Sequence, residues 1–201
     1  MLPVKQGHER SEHWHTRHLQ FRREAERIVA GRLVFLGNSL TEGFPLDYFF
    51  PDLHPLNRGI SGDHVDGLLE RLHDSVIRLK PAKLFIMIGI NDINAGDSES
   101  VISDNYNQLM TELGAKLAET NVFVQSILPT SREWSNCPKE KISFINGIIR
   151  QEAGLFSFNW IDLHHHFKNE QGYIKEDLTD DGLHLNQAGY RQWAKILKPY
   201  L

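Results

Sequence analysis

The sequence predicts a three-layer α/β/α sandwich on a flavodoxin-like parallel sheet of about five strands in the order 2-1-3-4-5, and three observations predict it. From Leu33 onward, short apolar runs alternate with longer amphipathic stretches, the rhythm of βαβ units. Several of the runs are apolar at nearly every position, as strands covered by helices on both faces require. Glycine, serine, asparagine and aspartate gather where an apolar run gives way to an amphipathic one, and open α/β sheets carry their ligand loops at that edge. The rhythm reaches the C-terminus without a low-complexity linker or a repeat, so residues 1–201 are expected to form a single domain, with 1–31 as a helical extension packing on it.

Taken in order, residues 9–30 predict a highly charged helix across the outside of the sheet. The run 33–36 is the first strand and the more polar 56–60 the second, the latter placed by the βαβ rhythm. Val65, Leu68, Leu69, Leu72, Val76 and Leu79 recur at steps of three and four, which lays one apolar stripe along a helix capped by Asp63. The third strand is 84–88. Val101, Ile102, Tyr106, Leu109, Met110, Leu113 and Leu117 mark a helix ending near Asn121, and 122–128 is the fourth strand. Pro138 suits a first helical turn, with Ile142, Ile145, Ile148 and Ile149 following at helical spacing. A fifth strand is expected over 159–163, and a last helix from Asn186 that buries Tyr190, Trp193, Ala194 and Leu197.

Composition removes several function classes. With 201 residues, 40% hydrophobic and 24% charged, the chain can bury a sizeable core without disulfides or a structural metal. The one cysteine, Cys137, excludes an internal disulfide and every Cys-rich metal framework. A net charge of −4 argues against nucleic acid as partner. No apolar run approaches the ~20 residues that span a bilayer, and the first residues carry no apolar secretory segment, so a cytoplasmic location is expected. A homo-oligomer is compatible with the sequence.

Four junctions carry the chemistry: Gly37-Asn38-Ser39-Leu40-Thr41, Gly59-Ile60-Ser61-Gly62-Asp63, Gly89-Ile90-Asn91-Asp92 and Asp181-Gly182-Leu183-His184. Brought to one sheet edge, they supply a serine, a histidine with a carboxylate three residues before it, an asparagine and glycines. Acyl transfer needs a hydroxyl activated by a base, an acid that orients the base, and donors aimed at the oxyanion of the tetrahedral intermediate. Ser39 is the expected nucleophile, His184 the base and Asp181 its orienting carboxylate, with Asp180 as the competing acid. The oxyanion donors are the backbone N–H groups of Ser39 and Gly62 and the side-chain amide of Asn91, and glycine at 62 permits a close backbone approach. Thr41, Glu42, Asp63 and Asp92 are expected to support these loops by hydrogen bonds.

These four blocks, in this order from Leu33 to the last helix, resemble the SGNH hydrolases, or GDSL-type esterases and lipases. Gly37-Asn38-Ser39-Leu40 is similar to the family's nucleophile block, Gly62 to its second-block glycine, and Gly89-Ile90-Asn91-Asp92 to its G-x-N-D block. Asp181-Gly182-Leu183-His184 is similar to its D-x-x-H block, and this resemblance selects Asp181 over Asp180. The stretch 53–63 further resembles the branch similar to platelet-activating-factor acetylhydrolase subunits and bacterial acylhydrolases. Asn38 stands where the family usually has Asp, at a position outside the triad. Thr41, by contrast, occupies the second glycine position of the G-x-S-x-G elbow and removes that alternative hydrolase class.

The expectation is therefore an SGNH-fold serine esterase that cleaves a small-molecule carboxylic ester through an acyl-Ser39 intermediate, with no cofactor and no metal. Short-chain acyl or acetyl esters are expected, since no long apolar insertion is present to hold a chain. An open polar cleft for sugar esters would draw on Asp47, Arg58, Asn94 and Trp134. A lysophospholipase or thioesterase would instead need an apolar groove from Phe44, Phe49, Phe50 and Leu128. Two readings from other classes are a non-catalytic ligand-binding module and, on fold alone, a flavin module. His164, His165 and His166 read as a solvated strand-end cluster, because three consecutive side chains do not converge on one ion from regular structure. His8 and His13 lack the i, i+4 spacing of a zinc-protease helix, His15 and His18 carry no better pattern, and Cys137 reads as a structural or surface thiol.

Overall fold

The computed structural model describes residues 7–201; the first six residues of the expected extension lie outside the described residues. In chain order the elements are α1 (Glu12–Ala25), β1 (Leu33–Gly37), α2 (Ser39–Glu42), α3 (Leu46–Phe49), β2 (Leu56–Gly59) and α4 (Val65–Ser75). They continue as β3 (Lys83–Met87), α5 (Ile90–Asn94), α6 (Glu99–Lys116), β4 (Asn121–Gln125), α7 (Lys139–Leu155), β5 (Asn159–Ile161), α8 (Leu163–Phe167) and α9 (Gln187–Leu197). The five strands form one sheet, β2-β1-β3-β4-β5, parallel at every pair. This is the predicted order.

Side chains alternate across the sheet, so each strand feeds two cores. Val34, Leu36, Leu84, Ile86, Val122 and Val124 face α4, α6 and α7. Phe35, Phe85 and Phe123 point the other way, toward Trp193 and Leu197 of α9 and Leu163 and Phe167 of α8. Because Phe35, Phe85 and Phe123 share one register across β1, β3 and β4, their rings stack in a row with centroids 4.8 and 4.7 Å apart. The near-continuous apolar runs are explained by this double burial.

Several boundaries differ from the sequence expectation, each for a local reason. The N-terminal helix is shorter than 9–30, starting after Ser11, whose hydroxyl accepts the Trp14 N–H at 3.1 Å. It packs on α4 beside the edge strand β2, burying Trp14 and Phe21 against Ile60. Helix α6 stops at Lys116, and Asn121, expected at its end, opens β4. Strand β4 ends at Gln125, not at 128, because the Ile127 N–H and carbonyl are both taken by the Asn146 side chain at 2.8 and 2.9 Å. Strand β5 stops at Ile161, and Asp162 caps α8 through the His165 N–H. His164 is consequently not solvated: it is buried on α8, its Nδ1 3.2 Å from the Ile127 carbonyl and its N–H donated to Ser126 Oγ at 2.7 Å, and burial pushes its imidazole below the ordinary range. Cys137 is buried as well, and burial raises its thiol to about 11, so it is a structural thiol.

Candidate active site

The carboxyl ends of β1, β2 and β3 open into short turns that lead directly into helices, and Ser39 stands at the first position of α2. Its turn is held by Asn38, whose Oδ1 accepts the Leu40 N–H at 3.1 Å. Asn38 is buried and caps the helix, a task that needs only a carbonyl-type oxygen, so the Asn-for-Asp departure costs nothing there. The first-turn N–H of Ser39 has no intrahelical partner and points out of the helix start.

His184 arrives from the other end of the chain. Ser39 Oγ lies 3.1 Å from His184 Nε2, and His184 Nδ1 lies 2.6 Å from Asp181 Oδ2. The second carboxylate oxygen of Asp181, Oδ1, accepts the N–H groups of Leu183 and His184 at 2.9 and 2.7 Å. Partial burial alone would raise the Asp181 carboxyl, but the bonds from the His184 ring and these two N–H groups together hold it down at about 2. It is therefore ionised throughout the neutral range. Asp180, the competing acid, turns toward Asn186 Nδ2 at 3.4 Å instead.

The 179–185 loop is braced from two sides. Thr179 Oγ1 donates to the His184 carbonyl at 2.6 Å and accepts the Gly182 N–H at 2.9 Å. From the loop after β4, the Trp134 indole donates to the Asp181 carbonyl at 2.9 Å and the Ser131 N–H to the Gly182 carbonyl at 2.8 Å. Gly182 has φ +81°, and a Cβ there would stand 2.2 Å from Ser131 Oγ, so only glycine allows this contact.

The second and third blocks meet beside Ser39. Gly62 has φ +77° and open space where a Cβ would stand, so the backbone conformation, not crowding by the protein, demands glycine. Asn91 Nδ2 donates one proton to the Asp63 carbonyl at 2.8 Å, which fixes the amide against the loop carrying Gly62 and leaves its second proton uncommitted by that bond. Asp92 receives the Val65 N–H at 3.1 and 3.3 Å, satisfying the start of α4. Burial raises the Asp92 carboxyl to about 7 despite that bond.

Asp63 was expected to cap α4, but His64 occupies the cap position and makes no side-chain cap bond. Asp63 is instead buried in an ion pair with Arg71, Nε to Oδ2 at 2.8 Å, and accepts the Trp14 indole N–H on Oδ1 at 2.8 Å. Arg71 also donates to the carbonyls of Gly37 and Arg58, each at 3.0 Å. One guanidinium thus ties the strand end before Ser39 to the residue after Gly62. Sequence reading missed Arg71 because an arginine on an amphipathic helix ordinarily reads as a solvated face.

The residues proposed for substrate contacts are mostly elsewhere. Phe44, Phe50 and Leu128 are buried in the second core, with Phe49 packed against it, so these side chains build no open groove. Arg58 is buried beneath α1, paired with Glu24 at 2.6 Å and stacked on Phe21. Together with Asp47 it lines a hollow of about 480 Å³ on the far side of β2 that includes none of Ser39, Asn91, Asp181 and His184. Asn94 faces the Cys137 sulfur, and Trp134 serves the 181–184 loop. A larger cavity of about 750 Å³ lies between α4 and α6, also away from Ser39.

Among the described residues, His8, His64 and Asp66 place one donor atom each within 4.8 Å of one another. The donors of His8 and Asp66 are already engaged, His8 Nδ1 and Nε2 facing Asp66 and Asp97 at 3.2 and 3.4 Å and Asp66 also pairing with Arg10 at 3.2 Å, and the His8 and His64 rings stack face to face at 3.7 Å. Parallel rings cannot aim their in-plane lone pairs at one ion, so this group reads as an ion-pair cluster.

Comparisons with known proteins agree with the fold and point to one family. A model of the GDSL-like Lipase/Acylhydrolase family matches residues 35–192. The platelet-activating factor acetylhydrolase IB subunit alpha1 of Pongo abelii is 26% identical over 175 residues, covering 84% of this chain and 74% of its own. A solved structure from Streptococcus pneumonia superposes with a TM-score of 0.88 at 26% identity, over 94% of this chain and 92% of that one. A GDSL-like lipase of Bacteroides thetaiotaomicron gives 0.81 at 25% identity, over 91% and 96%.

Proposed function

We propose that this chain, which belongs to the GDSL-like Lipase/Acylhydrolase family and is a hydrolase of ester bonds, acts on short acyl esters, acetyl esters foremost, through an acyl-Ser39 intermediate. The observation that carries the reading is the line Ser39 Oγ, His184, Asp181, with spacings of 3.1 and 2.6 Å. His184 takes the Ser39 proton as Oγ attacks the ester carbonyl, and returns it to the leaving alcohol as the tetrahedral intermediate collapses. A water then repeats the sequence in reverse to free the acid. Asp181, ionised and fixed on Nδ1, sets the imidazole tautomer and stabilises the imidazolium between these transfers. The N–H groups of Ser39 and Gly62 and the uncommitted amide proton of Asn91 supply donors for the oxyanion. None of these steps needs a metal or a cofactor.

Short acyl groups are favoured because the aromatic side chains that could have held a long chain are spent in the core around Trp193. The curated relative at 26% identity is named an acetylhydrolase, which points the same way. A panel of p-nitrophenyl esters from acetate to palmitate tests the chain length. The expected result is a kcat/KM that falls by about tenfold or more from acetate to octanoate, whereas a maximum at octanoate or beyond would contradict the short-acyl assignment.

A further inference from the structure

We propose that Glu42 is a positioning residue for this hydrolysis, and that helix α1 acts on the reaction through it. The inference rests on the acyl-Ser39 reading above. Glu42 ends α2, three residues after Ser39. Its Oε2 accepts both the N–H and the hydroxyl of Ser61 at 2.6 Å each, and Ser61 directly precedes Gly62. Its Oε1 lies 3.0 Å from His13 Nε2 and 3.1 Å from Arg17 Nε, both on α1. A single carboxylate therefore joins the nucleophile's turn, the loop that presents the Gly62 N–H, and the N-terminal helix.

Ile60 and Asp63 are buried on either side, but Ser61 and Gly62 between them are exposed and the space beside Gly62 is open, so packing does not fix these two residues. Hydrogen bonds must do so. Glu42 supplies two of them, and α1 adds the Trp14 indole on Asp63 at 2.8 Å and Arg17 on the Gly59 carbonyl at 3.3 Å. Burial opposes ionisation of Glu42, but Ser61 and His13 outweigh it and hold the carboxyl below its ordinary range, so the charged form is present throughout the neutral range. The separation of the Ser39 and Gly62 donors depends on how these two loops sit against each other. Those donors gain strength as the oxyanion forms, so a displaced loop slows turnover and leaves substrate binding unchanged.

The test uses the full chain with p-nitrophenyl acetate. Glu42→Gln is expected to lower kcat by about 10- to 100-fold with KM within about twofold, and to leave the pH midpoint where it is, since the His184–Asp181 pair is untouched. His13→Gln should give a smaller loss of the same kind, and combining it with Glu42→Gln should add nothing further, because His13 reaches the loop through that one carboxylate. Arg22→Gln, on an exposed part of α1, should leave kcat unchanged. Ser61→Ala removes only the hydroxyl donor and should reproduce a fraction of the kcat loss, which keeps the proposal open to test should Glu42→Gln fail to fold. Wild-type turnover with kcat unmoved in the Glu42 and Ser61 variants, a loss confined to KM, or losses that multiply would each overturn the proposal alone. An inactive wild type would overturn the acyl-Ser39 reading and this proposal with it.

Discussion

Asp181 divides its two oxygens between two tasks, one holding the backbone of the 183–184 turn and the other the His184 ring, and this division lets a carboxylate three residues away orient that ring within a single turn. The shortness of that turn kept the partner of His184 to Asp180 or Asp181 in the sequence, and the family resemblance, not the spacing, selected Asp181. Asn91 was expected as an oxyanion donor and not as a brace: its bond to the Asp63 carbonyl joins residues 28 positions apart, and no local pattern announces it. In the proposed mechanism its other proton meets the oxyanion, so Asn91→Ala should lower kcat by about 10²- to 10³-fold, and a change confined to KM would assign it to ground-state binding instead. Asp92 makes a different prediction. Its carboxyl, raised by burial to about 7, holds a proton that the unfolded chain has already lost above the ordinary carboxylate range. The folded state then binds more protons, so this residue's contribution to stability is full below that range and is lost as pH rises toward 7. Asp92→Asn should abolish that decline, which reaches at most about 1.4 kcal/mol per pH unit, leaving a flatter curve of denaturation midpoint against pH than the wild type shows. Identical slopes would contradict the protonated state.

Helix α4 shows what periodicity finds and what it omits. Val65, Leu68 and Leu72 lie on its buried stripe, as the spacing of three and four predicted. Arg71 lies on the same helix with no exposed surface, and its four bonds, to Asp63, Gly37, Arg58 and Ser75, reach partners that only the folded chain brings near. The misplaced cap follows from the same contact: the buried guanidinium and the Trp14 indole claim the Asp63 carboxylate, and Asp92 takes over the Val65 N–H. Arg71→Met should destabilise the fold by about 3–5 kcal/mol in a chemical denaturation series, since it leaves the Asp63 charge buried without its partner. A loss below about 1 kcal/mol would mean that Trp14 and the surrounding N–H groups satisfy Asp63 unaided. Helix α1 was legible as a charged extension, yet the contacts of His13 and Arg17 with Glu42 and of Trp14 with Asp63 were not, because only the folded chain brings these partners near.

Across the whole molecule, the strand order 2-1-3-4-5 brings the turns after β1, β2 and β3 to one edge, where the 181–184 loop closes over Ser39 from a position 145 residues away in sequence. The rhythm of apolar runs makes the parallel sheet legible, since parallel strands need helical crossovers, and right-handed crossovers narrow the strand orders without selecting one. Strand ends were less legible than strands, because side chains such as Asn146 and Asp162 end the ladder and are placed by tertiary contacts. Substrate-facing residues were the least legible: Arg58, Phe44 and Phe50 look suited to a cleft in sequence and turn out to be buried. No helix among the described residues is long and apolar enough to cross a membrane. The central claim is that Ser39 is the hydroxyl on which acyl transfer turns. The most direct measurement is intact-protein mass spectrometry after incubation with a fluorophosphonate, on the wild type and on Ser39→Ala. One phosphonyl adduct on the wild type and none on the variant is the predicted result, and equal labelling of both proteins, or labelling of neither, would contradict it.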